Sequence, residues 1–215
     1  DILVHSVDDK AVDNAFIHLL KRRGVIYVTT LGVSEGYREA FSQQPRLNAI
    51  ERRLADTAVI DSLDDLLERF PRYRPPPLPA DNRIALHNLA RLHAAGVTVA
   101  AGSDAGNIGT LHGPALHGEL ALMAEAGLSP RDILVAATRN GAMVAGLQQK
   151  LGTLEVGKLA DMLVLSADPL EDIRHTRRIA AIIKGGVIYQ SEQLMRQLQT
   201  PPESRASPSR GDRSP

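Results

Sequence analysis

The chain has 215 residues, of which 43% are hydrophobic, so it is long enough to bury one sizeable core. Lys plus Arg and Asp plus Glu both number 25, and the resulting zero formal charge argues against a general attraction to nucleic acid. No cysteine is present and no apolar run approaches the roughly 20 residues of a membrane span, so we expect neither disulfides, thiolate ligands nor a membrane partner.

The first 31 residues predict a strand, a helix and a second strand. An apolar run at residues 2–4 is followed by a helical pattern over about 8–23, then Gly24, then a second apolar run at 25–30. The sequence opens at Asp1 with no initiator Met and enters a strand at once. We therefore expect an amino-terminal part to precede it.

Residues 32–80 have a less regular pattern. They contain a charged amphipathic stretch at 50–70 and a proline-rich stretch at 71–77, where proline disfavours a regular helix. We interpret this region as an excursion above the sheet and a candidate lid.

Regular elements resume at a predicted helix over 82–95, which is followed by Gly96 and a buried strand that contains the apolar run at 97–101 and ends at Asp104. The β-α-β order predicts a parallel sheet with right-handed crossovers. Two helices are predicted next, at 114–126 and 129–140, the second with Ser129 as its N-cap and Pro130 in its first turn.

The carboxyl-terminal part predicts strands instead of helices. Apolar runs lie at 160–165, 179–183 and 187–189, and the glycine turn at 184–186 indicates a hairpin between the last two. Residues 201–215 are rich in Pro, Ser and Arg, a composition typical of a flexible tail.

Two potential metal ligands follow predicted strands. His5 comes directly after the first strand, and Asp104 comes after the apolar run at 97–101, where that strand ends. The carboxyl ends of parallel strands meet at one edge, and neutral imidazole and carboxylate are suitable ligands for zinc. Asp104 can instead begin a turn or cap a helix, and two ligands fall short of the three protein ligands of a usual catalytic zinc site.

The other histidines are weaker candidates. His112 lies in the loop beyond Asp104, where it can meet a substrate, although a solvated loop histidine is the alternative. His112 and His117 are five residues apart, which is not the spacing of three or four that aligns two ligands on a helix. The remaining four are expected to lie on the surface or to pack against helices: His18, His87, His93 and His175.

Several segments together resemble the carboxyl-terminal half of the amidohydrolase superfamily, in its imidazolonepropionase-like and prolidase-like branch of metal-dependent hydrolases. The resemblance covers about residues 1–190, and the segments that carry it are 3–9, 102–106, 116–120, 136–140 and 151–165. It implies an α/β fold that comprises strands six to eight of a TIM-type (β/α)8 barrel and part of a small β-sandwich. The implied boundaries are 1–148 for the partial barrel, 149–192 for the sandwich portion and 193–215 for a helical end with a disordered tail.

The resemblance also implies roles for individual residues. His5 would bind metal, Asp104 would bind metal and act as the catalytic base, and His112 would contact the substrate. The expected cofactor is a divalent metal, Zn²⁺, as one or two ions in a full-length parent whose other ligands precede residue 1. The family commonly has Glu-His-Gly at the sixth strand, whereas this chain has Val4-His5-Ser6.

The function implied by this resemblance is hydrolysis of a carbon–nitrogen bond by metal-activated water. The substrate would be a small molecule with a non-peptide amide, a cyclic amide or a dipeptide-like bond. Two alternatives stay open, namely a non-catalytic α/β binding or structural domain and a metal-dependent hydrolase of another bond. The sequence leaves the substrate, a homo-oligomeric state and the compartment undefined, although it favours the cytoplasm.

Overall fold

The computed structural model describes residues 1–41, 51, 55, 58, 60 and 82–199. In this part of the chain a parallel sheet is formed by β1 (Ile2–Val4), β2 (Ile26–Thr29) and β3 (Val99–Ala101), in the order β1-β2-β3. Val4 pairs with Val28 and Thr29 pairs with Ala101, so all three strands end at one edge of the sheet. The predicted parallel arrangement is confirmed.

Helices alternate with these strands and cover them, as expected for an α/β fold. They are α1 (Asn14–Arg23), α2 (Leu31–Phe41), α3 (Arg83–Ala94), α4 (Pro114–Glu125), α5 (Pro130–Val135) and α6 (Gly141–Val144). The hydrophobic core lies between the sheet and these helices, and its fully buried members include Tyr27, Leu89, Met123 and Ile133.

Helix α1 begins at Asn14, later than the predicted residue 8. Asp13 is its N-cap and accepts a hydrogen bond from the Phe16 amide at 2.7 Å. The residues before it are held as a loop by the buried side chain of Asn88, which donates to the carbonyls of Val7 and Lys10 at 2.8 Å each. These contacts take the place of helical hydrogen bonds.

Helix α2 corrects the expectation of an irregular segment after β2. Glycines at positions 32 and 36 weaken the helical pattern in the sequence, because glycine disfavours a helix interior by about 1 kcal/mol relative to alanine. The amides of Leu31 and Gly32 nevertheless both donate to the buried Glu119 carboxylate. The proline-rich stretch, the candidate lid and most of the amphipathic stretch lie outside the described residues.

The helix predicted over 129–140 is only in part an α-helix. Ser129 caps α5 as predicted, accepting from the Asp132 amide at 3.2 Å, but Ala136–Asn140 form a π-helical turn before α6. Asn140 at the end of this wider turn donates from Nδ2 to the Val99 carbonyl of β3 at 2.7 Å. The turn thus connects the helical layer to the sheet, a contact that sequence periodicity did not indicate.

A second, antiparallel sheet follows, with β4 (Met162–Leu165), β5 (Ile179–Lys184) and β6 (Val187–Gln190) in that order. The predicted hairpin is confirmed, since Gly185 and Gly186 adopt positive φ angles of 56° and 84° between β5 and β6. A 3₁₀ helix (Ile173–Arg177) precedes β5, and α7 (Ser191–Gln199) follows β6. The predicted flexible tail lies outside the described residues.

None of the helices in the described part of the chain is both long and apolar enough to cross a lipid bilayer.

Candidate active site at the carboxyl edge of the parallel sheet

His5 and Asp104 lie at the same edge of the parallel sheet. His5 directly follows β1, and Asp104 lies three residues beyond the end of β3, with β2 between the two strands. Neighbouring strands are about 4.8 Å apart, which separates β1 from β3 by roughly 10 Å. Both side chains are exposed.

The backbone at both positions is left-handed. His5 has a φ of 73° and Asp104 a φ of 47°, and among the residues described these are the only non-glycine residues with positive φ. Such conformations persist only where the surrounding contacts enforce them, and they cluster at active sites and ligand-binding loops. Two of them at one sheet edge favour a functional role for that edge.

Thr30, the residue that follows β2, orients the His5 imidazole. His5 Nδ1 lies 2.9 Å from Thr30 Oγ1, and the Thr30 amide donates to Ser6 Oγ at 3.4 Å. A hydrogen bond on one ring nitrogen fixes the tautomer and the ring orientation of a metal-binding histidine. Nε2 is therefore the nitrogen available to a ligand.

The loop over residues 104–110 holds Asp104 by both its backbone and its side chain. The Asp104 carbonyl accepts from the Asn107 amide at 3.1 Å and from Thr110 Oγ1 at 2.9 Å. Its Oδ2 accepts from Asn107 Nδ2 at 2.8 Å. Asp104 thus begins a turn, as the alternative interpretation expected, but it caps no described helix, because α4 has Gly113 at its N-cap position.

The structure separates the two histidines that follow this loop. His112 is exposed and folds back over the loop, since a methyl carbon built on Gly106 would lie 3.1 Å from His112 Nε2. His117 points elsewhere, with Nδ1 2.9 Å from Thr176 Oγ1 in the 3₁₀ helix. Burial, with a further contribution from Arg177, lowers the pKa of His117.

Glu119 is a site-supporting residue for which the sequence analysis gave no role. It is 1% exposed, and its Oε1 and Oε2 accept from the amides of Leu31 and Gly32 at 3.0 and 2.9 Å. Burial raises its pKa, although the hydrogen bonds from these amides act in the opposite direction. The signal in the sequence that could have identified Glu119 is a lone carboxylate on the apolar face of a predicted helix.

The side-chain atoms at this edge are suitable ligands for a divalent metal, but they are fewer than such a metal requires. His5 supplies an imidazole nitrogen and Asp104 supplies carboxylate oxygens, both of which zinc accepts. Over the described ranges, no group of three or more His, Asp or Glu side chains lies close enough together to hold a metal ion. Further ligands would have to come from residues outside these ranges.

Comparisons with known proteins identify relatives of this chain. The amidohydrolase family matches residues 17–189. Imidazolonepropionase of Symbiobacterium thermophilum is 43% identical over 77 residues, which are 35% of this chain and 18% of that protein.

Two crystal structures share the fold at lower sequence identity. One is a Xaa-Pro dipeptidase with methionine bound in its active site, with a TM-score of 0.60 at 21% identity, and this comparison covers 88% of this chain and 40% of that one. The other is a prolidase in complex with N-methylphosphonate-L-proline, with a TM-score of 0.61 at 23% identity and the same coverage. The chain spans less than half the length of each of these relatives.

Proposed function

Since this chain belongs to the amidohydrolase family, we propose that it contributes part of the active site of a metal-dependent hydrolase of carbon–nitrogen bonds. The observation that carries the proposal is the pair His5 and Asp104, which follow two parallel strands at one sheet edge and share a left-handed backbone. The substrate class is a small molecule with a non-peptide amide, a cyclic amide or a dipeptide-like bond. Relatives named imidazolonepropionase and prolidase support this range.

We also propose an architecture for the chain. We assign β1 to β3 to strands six to eight of a (β/α)8 barrel over residues 1–148, and β4 to β6 to part of a small β-sandwich over 149–192, followed by the helical end and tail. The exposure of Ile2 and Val4 supports this assignment, because their side chains are 48% and 53% exposed on a strand that forms one edge of the described sheet. In a closed barrel, a further strand would cover them.

His5 Nε2 and the Asp104 carboxylate would hold the metal, which we propose to be zinc, as one or two ions. A divalent ion bound there would lower the pKa of water towards about 7 and polarise the carbonyl that is attacked. Asp104 Oδ1, the oxygen to which Asn107 does not donate, accepts the proton of the attacking water and returns it to the leaving nitrogen. Thr30 keeps the His5 ring in place, and His112 contacts the substrate from the same loop as Asp104.

The test uses the full-length protein with zinc and a panel of cyclic amides, Xaa-Pro dipeptides and non-peptide amides. The wild type is expected to hydrolyse at least one class, and Asp104→Asn to lower kcat about a hundred- to ten-thousandfold, the usual contribution of a general base. Asp168→Asn is the matched control, because Asp168 is exposed and its cap on the Leu170 amide survives the change.

Three results would contradict the proposal. Turnover by Asp104→Asn at the wild-type rate would exclude Asp104 as the base. Cleavage of esters or phosphotriesters without cleavage of any amide would favour the hydrolase of another bond. Absence of any metal-dependent turnover in the full-length protein would favour the non-catalytic domain.

A further inference from the structure

We propose that Tyr37 and Asn107 are positioning residues that hold the Asp104 carboxylate in its reactive orientation, through a chain of side-chain hydrogen bonds that starts on α2. This inference rests on the proposed function, since it assigns to these residues an effect on the reaction that Asp104 would catalyse. The chain runs from the Tyr37 hydroxyl to Asn107 Oδ1 at 3.0 Å and from Asn107 Nδ2 to Asp104 Oδ2 at 2.8 Å.

The orientation of the Asn107 amide follows from its backbone neighbour. The Ile108 amide donates to Asn107 Oδ1 at 2.7 Å, and a backbone N–H can only donate. This contact identifies the amide oxygen and therefore places Nδ2 on the side of Asp104. The Asp104 carboxylate thus accepts a hydrogen bond from the Asn107 side chain and does not face its amide oxygen.

Tyr37 completes the arrangement from the neighbouring element. Because Asn107 Oδ1 can only accept, the Tyr37 hydroxyl donates to it. The Tyr37 ring is half-buried and stacks on Phe41, with ring centroids 6.0 Å apart and an interplanar angle of 21°. The hydroxyl is thus presented by a ring with little freedom to turn away.

Helix α2 and the loop of Asp104 are in close backbone contact, so the hydrogen bonds join two parts that cannot easily separate. A methyl carbon built on Gly36 would lie 2.8 Å from the Ile108 carbonyl oxygen, and one built on Gly109 would lie 2.3 Å from the Gly36 carbonyl oxygen. The start of α2 is fixed independently by Glu119. Tyr37 therefore reaches Asn107 from a rigid base.

For catalysis, the hydrogen bond from Asn107 distinguishes the two carboxylate oxygens of Asp104. With Oδ2 occupied by Asn107, the carboxylate is held with Oδ1 free for the attacking water. Loss of Asn107 would remove the donor that orients the carboxylate towards the attacking water, and misplacement of a reacting group by about 1 Å can lower a rate by two orders of magnitude. Loss of the Tyr37 hydroxyl would act more weakly, because Ile108 still orients the Asn107 amide.

The experiment measures kcat and KM of the full-length enzyme, per folded molecule, for Tyr37→Phe, Asn107→Ala and the double variant. We expect Asn107→Ala to lower kcat at least tenfold and Tyr37→Phe about threefold, with KM changed less than twofold. The double variant should be no slower than Asn107→Ala alone, because Tyr37 acts through Asn107. Tyr189→Phe is the control, since Tyr189 lies on β6 in the antiparallel sheet.

A role confined to stability would leave kcat per folded molecule unchanged in both single variants, and this result would overturn the inference. Losses that multiply in the double variant would also overturn it, because they would show that the two residues act independently. Asp104→Asn measured in parallel separates the two proposals. If Asp104→Asn is inactive while Tyr37→Phe and Asn107→Ala match the wild type, the inference fails and the proposed function stands; if Asp104→Asn is active, both fail.

Discussion

A methyl group at position 36 is expected to force α2 away from the loop that carries Asp104. In Gly36→Ala the new carbon would lie 2.8 Å from the Ile108 carbonyl oxygen and 3.1 Å from the Gly109 carbonyl carbon, whereas ordinary contacts begin at 3.4 Å. Both neighbours are backbone atoms, which cannot rotate aside. The variant therefore has to move one element relative to the other.

The size of the effect follows from two opposing contributions. Overpacking of this kind costs about 1–3 kcal/mol. Alanine in place of glycine inside a helix stabilises by about 1 kcal/mol. Gly118→Ala in α4 provides the second contribution alone, because no heavy atom of the described residues, apart from its chain neighbours and its own helix backbone, lies within 4 Å of the position of its new carbon. The two variants should therefore differ in unfolding free energy by about 1–3 kcal/mol, the cost of the contact alone.

Urea unfolding of the wild type and the two variants measures this difference directly. We expect Gly118→Ala to be as stable as the wild type or more stable, and Gly36→Ala to be the least stable of the three. The kcat of Gly36→Ala should also fall, because Tyr37 and Asn107 no longer meet. Equal stability of the two alanine variants would refute the close contact between α2 and the loop.

Three further changes test individual contacts within the fold. Burial raises the pKa of Glu119 above 4.5, so the wild type loses stability as the pH rises through that raised value, and its advantage over Glu119→Gln in urea unfolding should shrink from pH 4 to pH 8; a growing advantage would contradict this. The pKa of His117 lies below 6.5, so the wild type should lose stability relative to His117→Asn as the pH falls through 6.5 towards that lowered value, and a gain would contradict the burial of His117. Ser129→Ala removes the N-cap of α5 and should lower the unfolding free energy by about 1 kcal/mol, whereas an unchanged value would show that the cap contributes nothing.

The positions of His5 and Asp104 could be predicted because they depend on local sequence. Each residue follows an uninterrupted apolar run, and the alternation of such runs with a helical pattern predicts parallel strands whose ends meet. The left-handed backbone at both positions was not predictable. At His5 it accompanies a side-chain contact with Thr30, which is 25 positions away in the sequence.

The residues that support the site could not be predicted from the sequence, for a similar reason. Glu119 caps α2 from 88 positions away, and Tyr37 reaches Asn107 from 70 positions away. Gly36 weakens the helical pattern in this part of the sequence, yet the structure uses the absence of a side chain there for the contact with Ile108 and Gly109. The sequence pattern shows that glycine disfavours a helix at this position, but it does not show the packing that requires glycine there.

The central claim is that His5 and Asp104 belong to one metal site. The most direct test is the number of zinc ions bound per chain in the full-length protein, measured by elemental analysis after equilibration with zinc and removal of the free ion. We expect one or two ions in the wild type, a lower number in both His5→Ala and Asp104→Ala, and the wild-type number in His18→Ala, which alters an exposed residue of α1. Wild-type zinc content in both His5→Ala and Asp104→Ala would contradict the account.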